Sequence, residues 1–252
     1  MRILVTNDDG IDSEGLLALK KSLSSLGEVV VIAPNHNWSA AGHTKTMHKP
    51  LRVSRVTLPD GDSGYSSDGT PSDCVALAML GLAGDRPELV VSGINKGANL
   101  GGDITYSGTV AAAMESIVNN VPAIAISLAS YVEWQFEAAA EFAARLASRI
   151  QEHGMEPSVL LNVNVPNVAK SEIKGIMVTR LGKRIYQDKL IERQDPFGRN
   201  YYWIGGDEPS GNAEEGTDIW ALANEYISVT PIHMDLTNYA IMDKLKSWNL
   251  QL

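Results

Sequence analysis

The chain is poor in the residues and patterns that mark several large protein classes. It has 252 residues and one cysteine, Cys74. A lone cysteine forms no internal disulfide, so the sequence points to a reducing, cytoplasmic setting rather than a secreted one. Cys74 sits among Val75, Ala76 and Leu77, which suits a small buried packing residue. No apolar run approaches the roughly 18 residues of a membrane-spanning helix. No basic stretch followed by an apolar core and a small-residue cleavage site opens the chain. Basic residues are also scarce, 21 against 30 acidic ones, for a formal net charge of -9. That balance argues against nucleic acid or an anionic membrane as a partner, since both favour basic patches. A small anionic ligand stays compatible with it, because a bound cation reverses the local field.

Familiar catalytic signatures are missing as well. Neither a G-x-G-x-x-G dinucleotide fingerprint nor a G-x-x-x-x-G-K-[ST] phosphate loop is present. There is no H-E-x-x-H and no Cys/His zinc pattern, and His43 and His48 are five residues apart, on opposite faces of any strand. A G-x-S-x-G nucleophile elbow is absent, so covalent serine or cysteine chemistry has no support.

What is present is a repeated strand–helix pattern in a chain that is 44% hydrophobic. RILVT (2–6) is apolar and β-branched. A helix follows from about Ser13 to Ser25, with Leu16, Leu19 and Leu23 at helical spacing. EVVVIAP (28–34) is the next strand. Strand, helix and strand within so short a segment make a βαβ unit and predict a parallel sheet. Helices are expected over 71–80, 107–120 and 132–153, the last burying Phe136, Ala140, Ala143, Ala147 and Ile150. Strands are expected over 87–93, 121–127 and 158–166. Their near-continuous apolar runs suit strands covered on both faces. After Pro166 the texture changes. Strands over 175–182, 200–206 and 225–232 flank charged and turn-rich stretches, including the polar GDEPSGNAEEGTD (206–218), before a final helix. The expected architecture is α/β: a three-layer, Rossmann-like parallel sheet over 1–166. A smaller, hairpin-rich, antiparallel appendage over 167–252 is available to pair with a second chain.

Ligands of open α/β sheets bind at the carboxyl ends of the strands, so the loops that follow the strands hold the chemistry. After the first strand stands NDDGID, with Asp8 and Asp9 adjacent. Two unit charges about 4 Å apart repel by roughly 4 kcal/mol at an effective dielectric near 20. A hard divalent cation relieves that repulsion and prefers such oxygen ligands; a capped or solvated turn is the plainer alternative. After the third strand of the sheet comes SGINKGANLGGD. Its Gly93, Gly97, Gly101 and Gly102 expose backbone amides, Asn95 offers a neutral oxygen, and Lys96 is either a phosphate partner or a solvated side chain. Ser107, Gly108 and Thr109 then open an alanine-rich helix. The same residues serve as a cap and as an anion site, because free N–H groups and the helix dipole face outward there. GTPSDC (69–74) has the same form, and Thr70 and Asp73 suit a structural cap with Pro71 at the first helical position.

TNDDGID, WSAAGH, GTPSDCV, LVVSGINKGANLGGDITYSGTVAAAMES, PAIAIS, LNVNVP and VTPIHMDLTN occur in this order over nearly the whole chain. Together they resemble the SurE family of survival proteins, metal-dependent 5′-nucleotidases, with the block from Val90 to Glu115 the most specific part. The resemblance implies one divalent metal ion per subunit, Mg²⁺ or Mn²⁺, held by Asp8, Asp9, Ser39 and Asn95. It places substrate and phosphate binding on Gly93, Asn95, Ser107, Gly108 and Thr109. It also implies a homodimer or homotetramer formed by exchange of the C-terminal appendage. Where many members carry R-S-G-x-S, this chain has N-W-S-A-A-G-H, and Ser39 is aligned with the ligand serine. The expected reaction is hydrolysis of nucleoside 5′-monophosphates, with 3′-nucleotides and short polyphosphate as further substrates, and with Asp8 or Asp9 orienting the attacking water. Two alternatives share the acidic loop: a nucleotide-binding module without turnover, and a metal-dependent glycosyltransferase. Trp38 and Tyr106 are open to base stacking or to core packing.

Overall fold

A computed structural model describes residues 1–206, 210–211 and 214–250. The expected turn-rich segment 206–218 therefore lies partly outside the described residues. In chain order the elements are β1 (Arg2–Thr6), α1 (Glu14–Leu23), β2 (Glu28–Pro34), β3 (Val53–Thr57), β4 (Ser63–Ser67), α2 (Pro71–Met79), β5 (Leu89–Lys96) and α3 (Gly108–Val118). There follow β6 (Ala123–Ala129), α4 (Phe136–His153), β7 (Leu160–Pro166), β8 (Gly175–Val178), β9 (Arg184–Ile185) and β10 (Asp188–Gln194). The last are β11 (Asn200–Gly206), β12 (Ser210–Gly211), α5 (Asp218–Ala223), β13 (Tyr226–Ile232) and α6 (Tyr239–Ser247).

The main sheet has the strand order β3-β4-β2-β1-β5-β6-β7-β13-β8. β1 pairs in parallel with both β2 and β5, so the order reverses at β1 and the crevice of an open α/β sheet falls at its carboxyl end. Alternation along the strands feeds two cores. Ile3, Val5, Val91 and Ile126 pack with Leu16, Leu19, Phe136 and Ala143 of α1 and α4. Leu4, Val90, Ala123 and Leu160 pack with Cys74, Val75, Val110 and Ala113 of α2 and α3. These are the three layers expected from the apolar strand runs. Each fully buried leucine or isoleucine contributes about 1.5–3 kcal/mol through the area it removes from water. Cys74 is fully buried, and burial pushes its thiol up, with the charge of Asp73 adding to this. It is a packing residue of the second core.

Several boundaries differ from the sequence reading, each for a local reason. α4 starts at Phe136 rather than Val132, because Trp134 Nε1 donates to the Ser130 carbonyl and Gln135 N to Asn167 Oδ1, which holds 130–135 in a turn. β5 runs on to Lys96 after a register shift between Ser92 and Asn95, so Asn95 pairs with Ser127 of β6. The chain leaves the sheet after Val178, where Arg180 N turns to the Gly216 carbonyl. The β3–β4 hairpin, not anticipated, is mostly polar and only partly buried, so it carries no apolar run; Lys20 of α1 bonds Asp60 and Asp62 of its turn. Beyond Pro166, β13 pairs antiparallel with β7 and parallel with β8, extending the main sheet. β10 and β11 form a separate antiparallel hairpin with exposed Leu190, Phe197, Trp203 and Ile204.

Candidate active site

Asp8 and Asp9 lie in a bend just after β1, not in the strand, so alternation does not send them to opposite faces. The bend is built by Asn7. Its buried amide donates to the Gly10 carbonyl at 3.0 Å and to Ser13 Oγ at 2.8 Å, while Asn7 Oδ1 accepts from Gly10 N at 3.2 Å. Ser13 then caps α1 by accepting from Leu16 N. The Asp8 carbonyl accepts from Trp38 N at 2.8 Å, which ties the loop after β2 to the loop after β1.

The two carboxylates have different surroundings. Asp8 is buried against the start of α3, where the Thr109 hydroxyl donates to its Oδ1. Burial pushes its carboxyl up, and Thr109, together with the amides of Asp8, Thr109 and Gly108, opposes the shift. The helix start expected to face an anion thus faces Asp8. Gly108 is required by that approach: a Cβ there would lie 2.7 Å from the Asp8 Cβ. Asp9 is pushed up to about 6, first by burial and then by the charge of Asp8, against the pull of the Lys96 amide and ammonium. Its Oδ2 is buried with no hydrogen-bond partner, an arrangement that costs free energy unless something positive meets it.

Neutral oxygens stand on the neighbouring loops. Asn37 Nδ2 donates to Asp9 Oδ1 at 3.4 Å, and Asn37 Oδ1 accepts from both Ser39 N and Ser39 Oγ at 2.6 Å. Ser39 is exposed and is linked to Asp9 through Asn37, a residue the sequence reading passed over; its oxygen keeps lone pairs to offer. Asn95 Nδ2 donates to the Gly97 carbonyl at 2.8 Å, which leaves Asn95 Oδ1 as a neutral acceptor. Gly93 is buried at φ +144°, where a Cβ would come within 2.4 Å of the Ile126 carbonyl; packing alone demands glycine there. Ser107 caps α3 by accepting from Val110 N at 3.2 Å. Lys96 is neither free nor merely solvated: its Nζ lies 4.1 Å from the centre of the Trp134 ring, and its charge acts on Asp9. Among the described residues no three His, Cys, Asp or Glu side chains converge. Carboxylate, serine and asparagine oxygens are of the chemical type that suits a hard, oxygen-preferring cation rather than zinc.

The remaining candidates are structural. Thr70 and Asp73 form a reciprocal capping box at α2, and Asp73 Oδ1 also accepts from Thr46 N. His43 Nε2 lies 3.1 Å from Glu115 Oε2, and Lys45 Nζ 2.7 Å from Oε1. Burial raises the Glu115 carboxyl, but the bonds from His43, Lys45 and Asn119 outweigh it and hold the group below its ordinary value. Glu115 thereby fastens the loop that carries Ser39 to α3. His48 is exposed. The Trp38 ring lies against that of His36, tilted by 34° with 4.9 Å between centroids, and Tyr106 is exposed.

The loop after β5 is held by residues that no motif announced. Asn99 N donates to Asn164 Oδ1, Asn99 Nδ2 to Ser127 Oγ, and both Asn162 Nδ2 and Asn164 Nδ2 to the Asn99 carbonyl, all at 2.8–2.9 Å and all buried. Asp218 of α5, fully buried, accepts from Gly101 N at 2.8 Å and Gly182 N at 2.7 Å. The alternating asparagines of LNVNVP are the one sequence signal for this anchor, since a polar side chain inside a buried strand needs a partner.

This is a three-layer α/β protein with an acidic site at the carboxyl ends of its parallel strands, where the sheet order reverses. Comparison with known proteins narrows that class. A sequence model described as Survival protein SurE matches residues 3–188, and the chain belongs to the SurE family. It is 54% identical over 250 residues to the 5′-nucleotidase SurE of Chloroflexus aggregans, covering 98% of this chain and 99% of that one. It is 51% identical over 253 residues to the 5′-nucleotidase SurE of Herpetosiphon aurantiacus, covering 99% of each. The crystal structure of the SurE protein from Aquifex aeolicus superposes with a TM-score of 0.87 at 44% identity, over 99% of this chain and 100% of that one.

Proposed function

We propose that the chain is a metal-dependent 5′-nucleotidase that hydrolyses nucleoside 5′-monophosphates to nucleoside and phosphate. One observation carries the reading: Asp9, pushed up to about 6, keeps a buried, unpartnered Oδ2 beside a second buried carboxylate in a family whose relatives are named 5′-nucleotidases. The orphaned oxygen and the oxygen-only donor set fit one divalent cation, Mg²⁺ or Mn²⁺, held by Asp8, Asp9, Ser39 and Asn95. Held there, such an ion would offset the charge of the acidic pair and supply Lewis-acid polarisation of a phosphoryl oxygen.

The chain's own residues do the rest. Thr109 and the amides at the start of α3 orient Asp8. Ser107, Gly108 and Thr109, at the positive end of the helix dipole, receive the equatorial oxygens of the phosphate with Gly93 and the glycine loop behind them. Asp8 or Asp9 accepts a hydrogen bond from the attacking water and aims it in line with the leaving oxygen. The same reading makes the region from 167 onward an oligomerisation unit that pairs with a second chain through its exposed hairpin. A cytoplasmic setting accords with the single, buried Cys74. No helix among the described residues is long and apolar enough to cross a membrane.

The test is phosphate release by the purified chain from 5′-nucleotides, 3′-nucleotides and short polyphosphate, with Mg²⁺, with Mn²⁺ and with excess EDTA. Turnover of 5′-monophosphates only with added cation is expected. An undiminished rate in EDTA refutes the metal role, and nucleotide binding without phosphate release makes the chain a binding module.

A further inference from the structure

Lys96 is the last residue of β5, half-buried and one step beyond Asn95. Its amide and its ammonium both act on Asp9, yet the ammonium makes no ion pair with it. Among the described residues Lys96 has no salt-bridge partner, whereas Lys20, Lys45, Lys170 and Lys174 each bond a carboxylate. The lysine turns to a ring instead: its Nζ lies 4.1 Å from the centre of the Trp134 indole.

That ring is not free to leave. Trp134 packs against the first core, and its Nε1 donates to the Ser130 carbonyl at 3.0 Å. Asn167 closes the same turn, donating through Nδ2 to the Glu133 carbonyl at 2.8 Å and accepting from Gln135 N at 3.1 Å. Next to it the Tyr131 ring covers Gly97, where a Cβ would lie 2.5 Å from Tyr131 Cε1. The turn 130–135 thus braces Lys96 and Gly97 together. The ammonium is held beside the acidic pair without bonding to it. A fixed positive charge in that position has two opposite effects. It repels a cation that approaches the carboxylates, and it attracts an anion that arrives afterwards. Both effects are electrostatic, so both weaken as salt screens them.

We propose that Lys96, seated on Trp134, sets the charge balance of the site: it lowers the affinity of the Asp8–Asp9 pair for a divalent cation and raises the affinity of the loaded site for a phosphate dianion. This rests on the metal-dependent reading and deepens it. Lys96 acts through its charge rather than through a bond to the reacting atoms, so it governs binding and is not a catalytic residue. It keeps the cation exchangeable and leaves the loaded site one positive charge richer toward anionic esters. Trp134 gives this effect its direction, because an ammonium released from the ring could pair with Asp9 and block the cation outright.

The experiment is calorimetric titration of the full chain, first stripped of metal and titrated with Mn²⁺, then saturated with Mg²⁺ and titrated with inorganic phosphate. Lys96→Met, which keeps the straight stem and removes the charge, is expected to bind Mn²⁺ about threefold to tenfold more tightly than the wild type and phosphate more weakly by a similar factor. Lys96→Gln should behave alike, and Lys96→Arg should stay near the wild type in both titrations. Raising NaCl from about 20 to about 500 mM should shrink the differences. Trp134→Leu is expected to weaken Mn²⁺ binding, and Lys96→Met added to it to reverse that loss. A merely structural role for Lys96 would weaken both ligands together. Mn²⁺ binding that is unchanged or weaker in both Lys96→Met and Lys96→Gln, phosphate binding equal to the wild type in both, or a Trp134→Leu loss that persists in the double variant overturns the inference while leaving the metal site intact. No saturable Mn²⁺ binding by the wild type overturns the metal reading and the inference with it.

Discussion

Asp8 and Asp9 are neighbours in sequence but not in circumstance. Asp8 is wrapped by the start of α3 and has donors; Asp9 has an orphaned oxygen and a lysine beyond it. Between its ordinary value of 3.8 and about 6, Asp9 in the folded chain holds a proton that the unfolded chain has already released. Stability contributed by this group therefore falls as pH rises across that window. A bound cation offsets the cost only once the carboxyl has ionised. Mg²⁺ or Mn²⁺ should accordingly raise the Tm more at pH 7.5 than at pH 5.0, by differential scanning fluorimetry. Asp9→Asn removes the like-charge repulsion. Without cation it should gain roughly 1–3 kcal/mol at pH 7.5 relative to the wild type in urea denaturation, and its Tm should no longer respond to Mn²⁺. A full Mn²⁺ response in this variant counts against Asp9 as a ligand.

At the scale of elements, the site depends on loops that are not free to wander. The loop after β5 hangs from the buried asparagines of β7 at one end and from Asp218 of α5 at the other. Asn164→Ala strips an acceptor from Asn99 N and a donor from the Asn99 carbonyl in a buried setting. The expected loss is roughly 2–4 kcal/mol, measured by urea unfolding, together with reduced protection of the 97–101 amides in hydrogen exchange. The loop after β2 is held to α3 by His43 and Lys45 on Glu115. Glu115→Gln keeps the shape but not the charge. It should raise the concentration of Mn²⁺ needed for half-maximal phosphate release severalfold and leave the dependence on nucleotide concentration nearly unchanged; the reverse pattern argues against a role through Ser39. The asparagines of LNVNVP hinted at the first anchor, but nothing in the sequence announced the second. His43 matched no catalytic spacing, and Glu115 sits inside a helix among alanines, so only the folded loop brings the two within 3.1 Å.

At the scale of the whole molecule, the β10–β11 hairpin stands apart from both cores and exposes Leu190, Phe197, Trp203 and Ile204. An exposed apolar hairpin of this kind is a template for association. On the proposal that this hairpin pairs with a second chain, Trp203→Glu combined with Ile204→Glu should lower the sedimentation coefficient to that of a single chain; an unchanged value, or a single-chain value for the unaltered protein, counts against that proposal. The sequence reading anticipated the parallel sheet, its helices and the acidic loop, because apolar runs and helical periodicity are local signals that burial enforces. The β3–β4 hairpin was missed because it is mostly polar and lacks that signal. The start of α4 was placed four residues early because two side-chain bonds, not composition, end the preceding turn.

The order of residues by itself determined that two carboxylates follow β1 closely, that Ser107 stands before Gly108 and Thr109 at the start of α3, and that the strands are apolar enough to be covered on both faces. Tertiary structure alone decided that α3 aims its first turn at Asp8, that Asn37 links Ser39 to Asp9, and that the Trp134 ring seats the Lys96 ammonium. Those relations join segments tens of residues or more apart. No local propensity encodes them; they follow from the packing of layers and from buried polar groups that must find partners.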